Sequence, residues 1–126
     1  MPHTASLPTT FDPALVLGAH NAIQVCLKLQ RDERLTLITD QASAEIAAAL
    51  VAEIERTGAA YNVLVLEEYG PRPHRDMPAA VLEDLARSQV SIYACITQTG
   101  ELRTRMQMMD VINPRHIRHG HMGAGD

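Results

Sequence analysis

The sequence predicts a three-layer α/β sandwich: a small, mostly parallel sheet of about four strands with helices on both faces. Three observations lead there. Apolar runs of strand length alternate with segments of helical period, in the order α-β-α-β-α-β-α-(β). Caps and breakers agree with the period beside them, most plainly where Asp40 precedes a helical pattern and Gly58 ends it. The two clearest strand-like runs flank that one helix, as in a βαβ unit, so they should be parallel with a right-handed crossover.

Taken in order, Met1–Phe11 is rich in Thr, Ser and Pro and reads as a flexible N-terminal arm. A single α/β domain is expected over residues 12–122, with 123–126 a frayed or vector-derived tail. Asp12-Pro13 is a start signal, an N-cap acceptor followed by a proline suited to the first helical position. Leu15, Ala19, Ala22, Ile23, Cys26 and Leu27 then recur at helical spacing to about Lys28. Leu35–Thr39 is a β-favouring run too short for a helix. Asp40 can accept the free N–H groups of the next first turn. Ile46, Leu50 and Ile54 form one apolar stripe, with Glu45, Glu53 and Glu55 expected to point elsewhere. Asn62–Leu66 is the second strand. Glu67–Met77 carries Gly70, Pro71 and Pro73 and breaks the pattern. Its place after a parallel strand puts it at the carboxyl edge of the sheet, where ligands bind in such folds. Pro78 opens a helix with Val81, Leu82 and Leu85 inward. Val90–Ile96 is the third strand, and Glu101–Val111 a helix carrying Leu102, Met106 and Met109, which Asn113-Pro114 should end. His116–Met122 is a candidate last strand.

Composition narrows the function classes. The chain has 126 residues, 46% apolar and 3% aromatic, with no Trp, so one aliphatic core is expected. The net charge is −4 and no basic face stands out, which argues against nucleic acid as a partner. No apolar run is long enough for a membrane span, and no secretory leader pattern opens the chain. A cytoplasmic protein is expected. Cys26 and Cys95 sit in apolar segments and read as reduced, buried small hydrophobes.

Candidate chemistry is sparse. The turn after the first strand, Thr39-Asp40-Gln41-Ala42-Ser43, lacks the glycines of a dinucleotide fingerprint and sets a carboxylate in the way. There is no P-loop. His116, His119 and His121 form the strongest polar constellation and are the candidate metal ligands, since imidazoles suit zinc and iron; a solvated tail is the bland alternative. His74, with Arg72, Arg75, Glu67 and Glu68, could clamp a phosphate or carboxylate, or be a solvated loop. His20 and Cys26 are too far around their helix to pair as base and nucleophile. Met106, Met108 and Met109 suggest core or a packing face. No catalytic or cofactor-binding residue is assigned.

The run from Gly18 to Ala59, GAHNAIQVCLKLQRDERLTLITDQASAEIAAALVAEIERTGA, resembles the N-terminal domain of metal-dependent aminopeptidases of the aminopeptidase T and aminopeptidase S type. The features that carry the resemblance are Cys26-Leu27 at a helix end, Glu33 in the turn, Leu37-Ile38-Thr39-Asp40, and an Ala/Glu-rich helix ending at Gly58-Ala59. With the Pro78–Leu85 helix and the strand up to Thr97, it covers most of Leu17–Thr97. Where the family usually has a histidine-containing stretch, this chain has Gly100-Glu101-Leu102-Arg103-Thr104. The resemblance implies that metal ligands lie in a large C-terminal domain, so none is carried over to a residue here. A full-length relative would hold divalent zinc, cobalt or manganese, while no cofactor is expected in this chain. The superfamily also includes non-haem iron dioxygenases that open dihydroxypyridine rings.

The expected function is thus a non-catalytic N-terminal domain of an aminopeptidase-like metalloenzyme, or a stand-alone relative. It would act as a substrate-chamber wall or a dimerisation element, partnered by a second copy or by a catalytic domain. Two alternatives are a small metal-binding enzyme using the C-terminal histidines and a domain of a ring-cleaving dioxygenase. A third is a pure interaction domain that binds through the methionine-bearing helix.

Overall fold

A computed structural model describes residues 7–122. Its centre is a four-stranded parallel sheet in the order β2-β1-β3-β4, built from β1 (Arg34–Thr39), β2 (Ala60–Val65), β3 (Val90–Ala94) and β4 (Arg118–His121). The helices are α1 (Leu15–His20), α2 (Ala44–Thr57), α3 (Ala79–Ala86) and α4 (Leu102–Arg115). The alternation and the parallel β1–β2 pair match the sequence expectation, and His116–Met122 does contribute a strand.

Side-chain alternation along the strands divides the interior into two apolar layers. Leu35 and Leu37 of β1, Val63 and Val65 of β2, and Val90, Ile92 and Ala94 of β3 pack with Ala19 and Ile23 and with Ala47, Leu50, Val51 and Ile54 of α2. Ile38, Leu64, Tyr93 and Cys95 point to the other face and meet Val81 and Leu85 of α3 and Met108 and Ile112 of α4. Residues 35–39 of β1 are therefore buried throughout, as expected of a strand covered on both faces.

Several local expectations are corrected. The first helix loosens after His20 into a π-helical stretch, Asn21–Cys26, where Leu27 N–H reaches back to the Ala22 carbonyl at 2.9 Å. Cys26 at its end is exposed rather than buried; Cys95 is buried as expected. In α2, Ile46 is only half-buried, while Glu53 turns inward. It can do so because His20 Nδ1 lies 3.0 Å and Gln24 Nε2 3.3 Å from its carboxylate, which supplies the partners a buried acid requires. Gly58 closes α2 in the left-handed region, at φ 79°, as its position implied.

Helix α4 does not stop at Asn113-Pro114; it runs through Pro114 to Arg115. A proline there forgoes one hydrogen bond of the last turn. The turn still closes, because His116 takes a left-handed conformation (φ 54°) and its N–H meets the Asn113 and Ile112 carbonyls. Ile117 then donates to Ile112 at 3.2 Å and is buried against the α3/α4 layer. At the other end, Leu7 and Phe11 of the expected arm pack against the α1/α2 layer. Residues 1–6 and the tail at 123–126 lie outside the described residues.

Candidate functional site

In a parallel sheet of this order the chain leaves β1 for β2 on one side and later returns to β3 on the other. The carboxyl ends of β1 and β3 therefore flank a crevice, the usual ligand position of such folds. Here the crevice is filled by the chain itself. Asp40, the first residue after β1, is fully buried. Its Oδ1 accepts from Ser43 N–H at 2.9 Å, and its Oδ2 accepts from Ile96 N–H beyond β3, also at 2.9 Å. That second bond ties the two strand ends together. Arg72, from the connection between β2 and α3, inserts a side chain that is only 3% exposed and donates through Nη1 to Asp40. Its Nε and Nη2 grip Glu101 at 3.1 and 2.5 Å, and Nη2 also donates to the Ile96 carbonyl at 3.2 Å. Glu101 further accepts from His74 N–H at 2.8 Å, and the His74 ring lies 2.9 Å from the Leu66 carbonyl.

The electrostatics follow from this geometry. Burial alone would raise the Glu101 pKa, but the Arg72 guanidinium and the His74 N–H hold it below the ordinary carboxylate value. Burial would likewise strip the Arg72 proton, and the two carboxylates reverse that, pushing its pKa up. Of the residues considered as an anion clamp, Arg72 is thus consumed internally, Glu67 caps Gln41 N–H at 3.0 Å, and Arg75 is exposed. A fork already bonded to two carboxylates and a carbonyl has no face left for a phosphate.

The three histidines separate into a pair and a single residue. His116 forms the exposed cap of α4. His119 and His121 stand two apart on β4 with ring centroids 4.7 Å apart. They are in register with Ser91 and Tyr93 of β3. His119 Nδ1 lies 2.6 Å from Ser91 Oγ, whereas its buried Nε2 has no hydrogen-bond partner among the described residues. Burial, with the neighbouring His121, pushes the His119 pKa down to about 4, so the ring is neutral at pH 7. No group of three His, Cys, Asp or Glu side chains is placed to hold a metal ion among the described residues.

A polar network that the sequence did not suggest lies at the amino end of the sheet. Asp84 of α3 is buried and takes a two-pronged contact from Arg34 at 2.8 and 2.9 Å, with Thr36 Oγ1 at 2.6 Å and Asn62 Nδ2 at 2.8 Å. These donors outweigh the effect of burial and hold its pKa low. The available signal was helical spacing, which sets Asp84 three residues after Val81 and beside Leu85, on the face turned to the sheet. The network anchors α3 to β1 and β2. Its hydrogen bonds converge on the buried Asp84 carboxylate, which makes it structural.

No protein-family model matches this sequence, and no curated protein does. Among solved structures, wild-type AmpT from Thermus thermophilus superposes with a TM-score of 0.59 at 16% identity, covering 86% of this chain and 35% of AmpT. The chain thus spans about a third of AmpT's length. At that identity the likeness is one of fold: AmpT contains the same kind of α/β unit as the one described here.

Proposed function

We propose that this chain is a non-catalytic α/β domain of an aminopeptidase-like metalloenzyme, serving as an interaction element that walls a substrate chamber or joins two protomers. The non-catalytic reading rests chiefly on the carboxyl-edge crevice, where Arg72, Asp40 and Glu101 take the space a substrate would need. The fold likeness to AmpT, an aminopeptidase, supports the family context. An apolar strip on α4 supports the interaction role: Leu102 and Met106 are 62% and 60% exposed, and with Met109 they border a groove of about 390 Å³. Contiguous apolar exposure of this kind is characteristic of protein contacts. The strip lies next to β4, an edge strand of the sheet. A second copy meeting it isologously is the simplest occupant.

Two measurements test this. Purified protein is incubated with aminoacyl-arylamides and zinc, cobalt or manganese; no turnover is expected. Turnover above buffer that is lost on replacing His119 or His121 would overturn the non-catalytic reading. Light scattering should show a dimer at high micromolar concentration. A monomer there would reject the second copy and leave a catalytic domain as the partner of α4.

A further inference from the structure

Beyond that reading, and independently of it, we propose that His119 and His121 of β4 form a binding site for a soft monovalent transition ion, copper(I). Residues two apart on a strand project from the same face, and these two rings stand 4.7 Å apart between centroids at 87° to one another, so the exposed His121 ring must turn for both to share one ion. The second observation is the orphaned atom. Ser91 Oγ occupies the Nδ1 side of His119 at 2.6 Å, the outer-shell contact that fixes a ligating imidazole. In the tautomer in which Ser91 accepts from Nδ1–H, the lone pair resides on Nε2, the buried atom without a partner among the described residues. The third concerns softness. His121 borders a groove lined by Met106, Met108 and Met109 of α4, with Arg105 and Asp110 as its charged residues, so thioethers are the most numerous donors beside it. Imidazole and thioether together favour copper(I), which accepts few ligands, over ions that require oxygen. Among the described residues no group of three His, Cys, Asp or Glu is placed to hold an ion, so a low-coordinate ion fits better than tetrahedral zinc.

The experiment is an anaerobic competition of the full chain against a chromophoric copper(I) chelator. Because the Cys26 thiol is exposed and itself soft, it is done first on Cys26→Ser. We expect one copper(I) per chain to be retained by that variant. In the same background His121→Ala and His119→Ala should each weaken binding at least tenfold, and His116→Ala by less than twofold. His121 is exposed, so its variant reports even if His119→Ala fails to fold. Loss of all copper with Cys26→Ser, equal retention in His121→Ala, or an equal loss in His116→Ala would overturn the site. Zinc displacing copper(I) at equal concentration would overturn the choice of ion.

Discussion

Replacing Arg72 with methionine keeps most of the side-chain volume and removes the charge that two buried carboxylates share. Asp40 and Glu101 are 0% and 3% exposed, so neither can turn to water for compensation. Removing one partner of a buried ion pair costs about 3–5 kcal/mol, much of it the penalty of the charge left behind. At about 2.1 cal/mol/K of unfolding entropy per residue, the 126-residue chain has roughly 0.26 kcal/mol/K, so the melting temperature should fall by about 11–19 °C at pH 7. The pH dependence carries a sign. In the unmodified protein the Glu101 pKa is depressed, so its contribution is complete above the unfolded value near ~4.3 and is lost only as pH falls through the lower folded value. In Arg72→Met the counter-charge is gone and burial remains, so Glu101 takes up its proton above its unfolded pKa. The variant's deficit should therefore shrink between pH 7 and pH 5. Circular-dichroism melts at both values test this. A melting temperature within about 3 °C of the parent at pH 7, or a deficit that grows on acidification, would refute the argument.

Three further outcomes are expected. Leu50→Ala, in the α1/α2 layer and fully buried, should lose about 2–5 kcal/mol in urea unfolding; a smaller loss means the site collapses around the gap. Met108→Glu should unfold the domain because Met108 is 1% exposed, while Met106→Glu, at 60% exposure, should stay folded and shift light scattering to monomer. Asp84→Asn should cost about 3 kcal/mol at pH 7 by leaving Arg34 without its carboxylate. That difference should narrow as pH falls below the unfolded aspartate value of about 3.9 toward the lower folded value, because the unfolded chain takes up the proton first; an equal difference at pH 3 and pH 7 would count against the network.

The parts of the fold legible in the sequence are those written in local periodicity. The stripe through Leu50 and Ile54, the cap at Asp40 and the stop at Gly58 each involve neighbours within a few positions, and all appear where expected. Local rules failed where tertiary partners overrode them. Spacing points Glu53 away from the apolar stripe, yet it is buried, because His20 and Gln24 from the preceding helical segment supply its hydrogen bonds. Local rules end the helix at Asn113-Pro114, yet burial of Ile112 and Ile117 on either side holds the last turn in place. The crevice was legible only in location. Arg72 joins Asp40 across 32 positions and Glu101 across 29, and no periodic signal spans such separations. Of the histidines, alternation on a strand could have paired His119 with His121, but the cap role of His116 depends on a helix that outlasts its proline.

The Arg72 cluster also bears on how the molecule opens. Asp40, Arg72 and Glu101 belong to three connections that follow β1, β2 and β3, so one guanidinium clasps the loops at one end of the sheet. Those loops resist fraying one at a time, because releasing the Arg72 loop strands two buried carboxylates and releasing either of the others takes from buried Arg72 one of its two carboxylates. The long β2–α3 connection should thus exchange its amide hydrogens near Arg72 and His74 at the pace of a larger cooperative opening, not of an ordinary surface loop. A protease specific for arginine would meet the same asymmetry. Arg75, exposed three residues on, is open to attack, while Arg72 is shielded until the whole carboxyl end gives way.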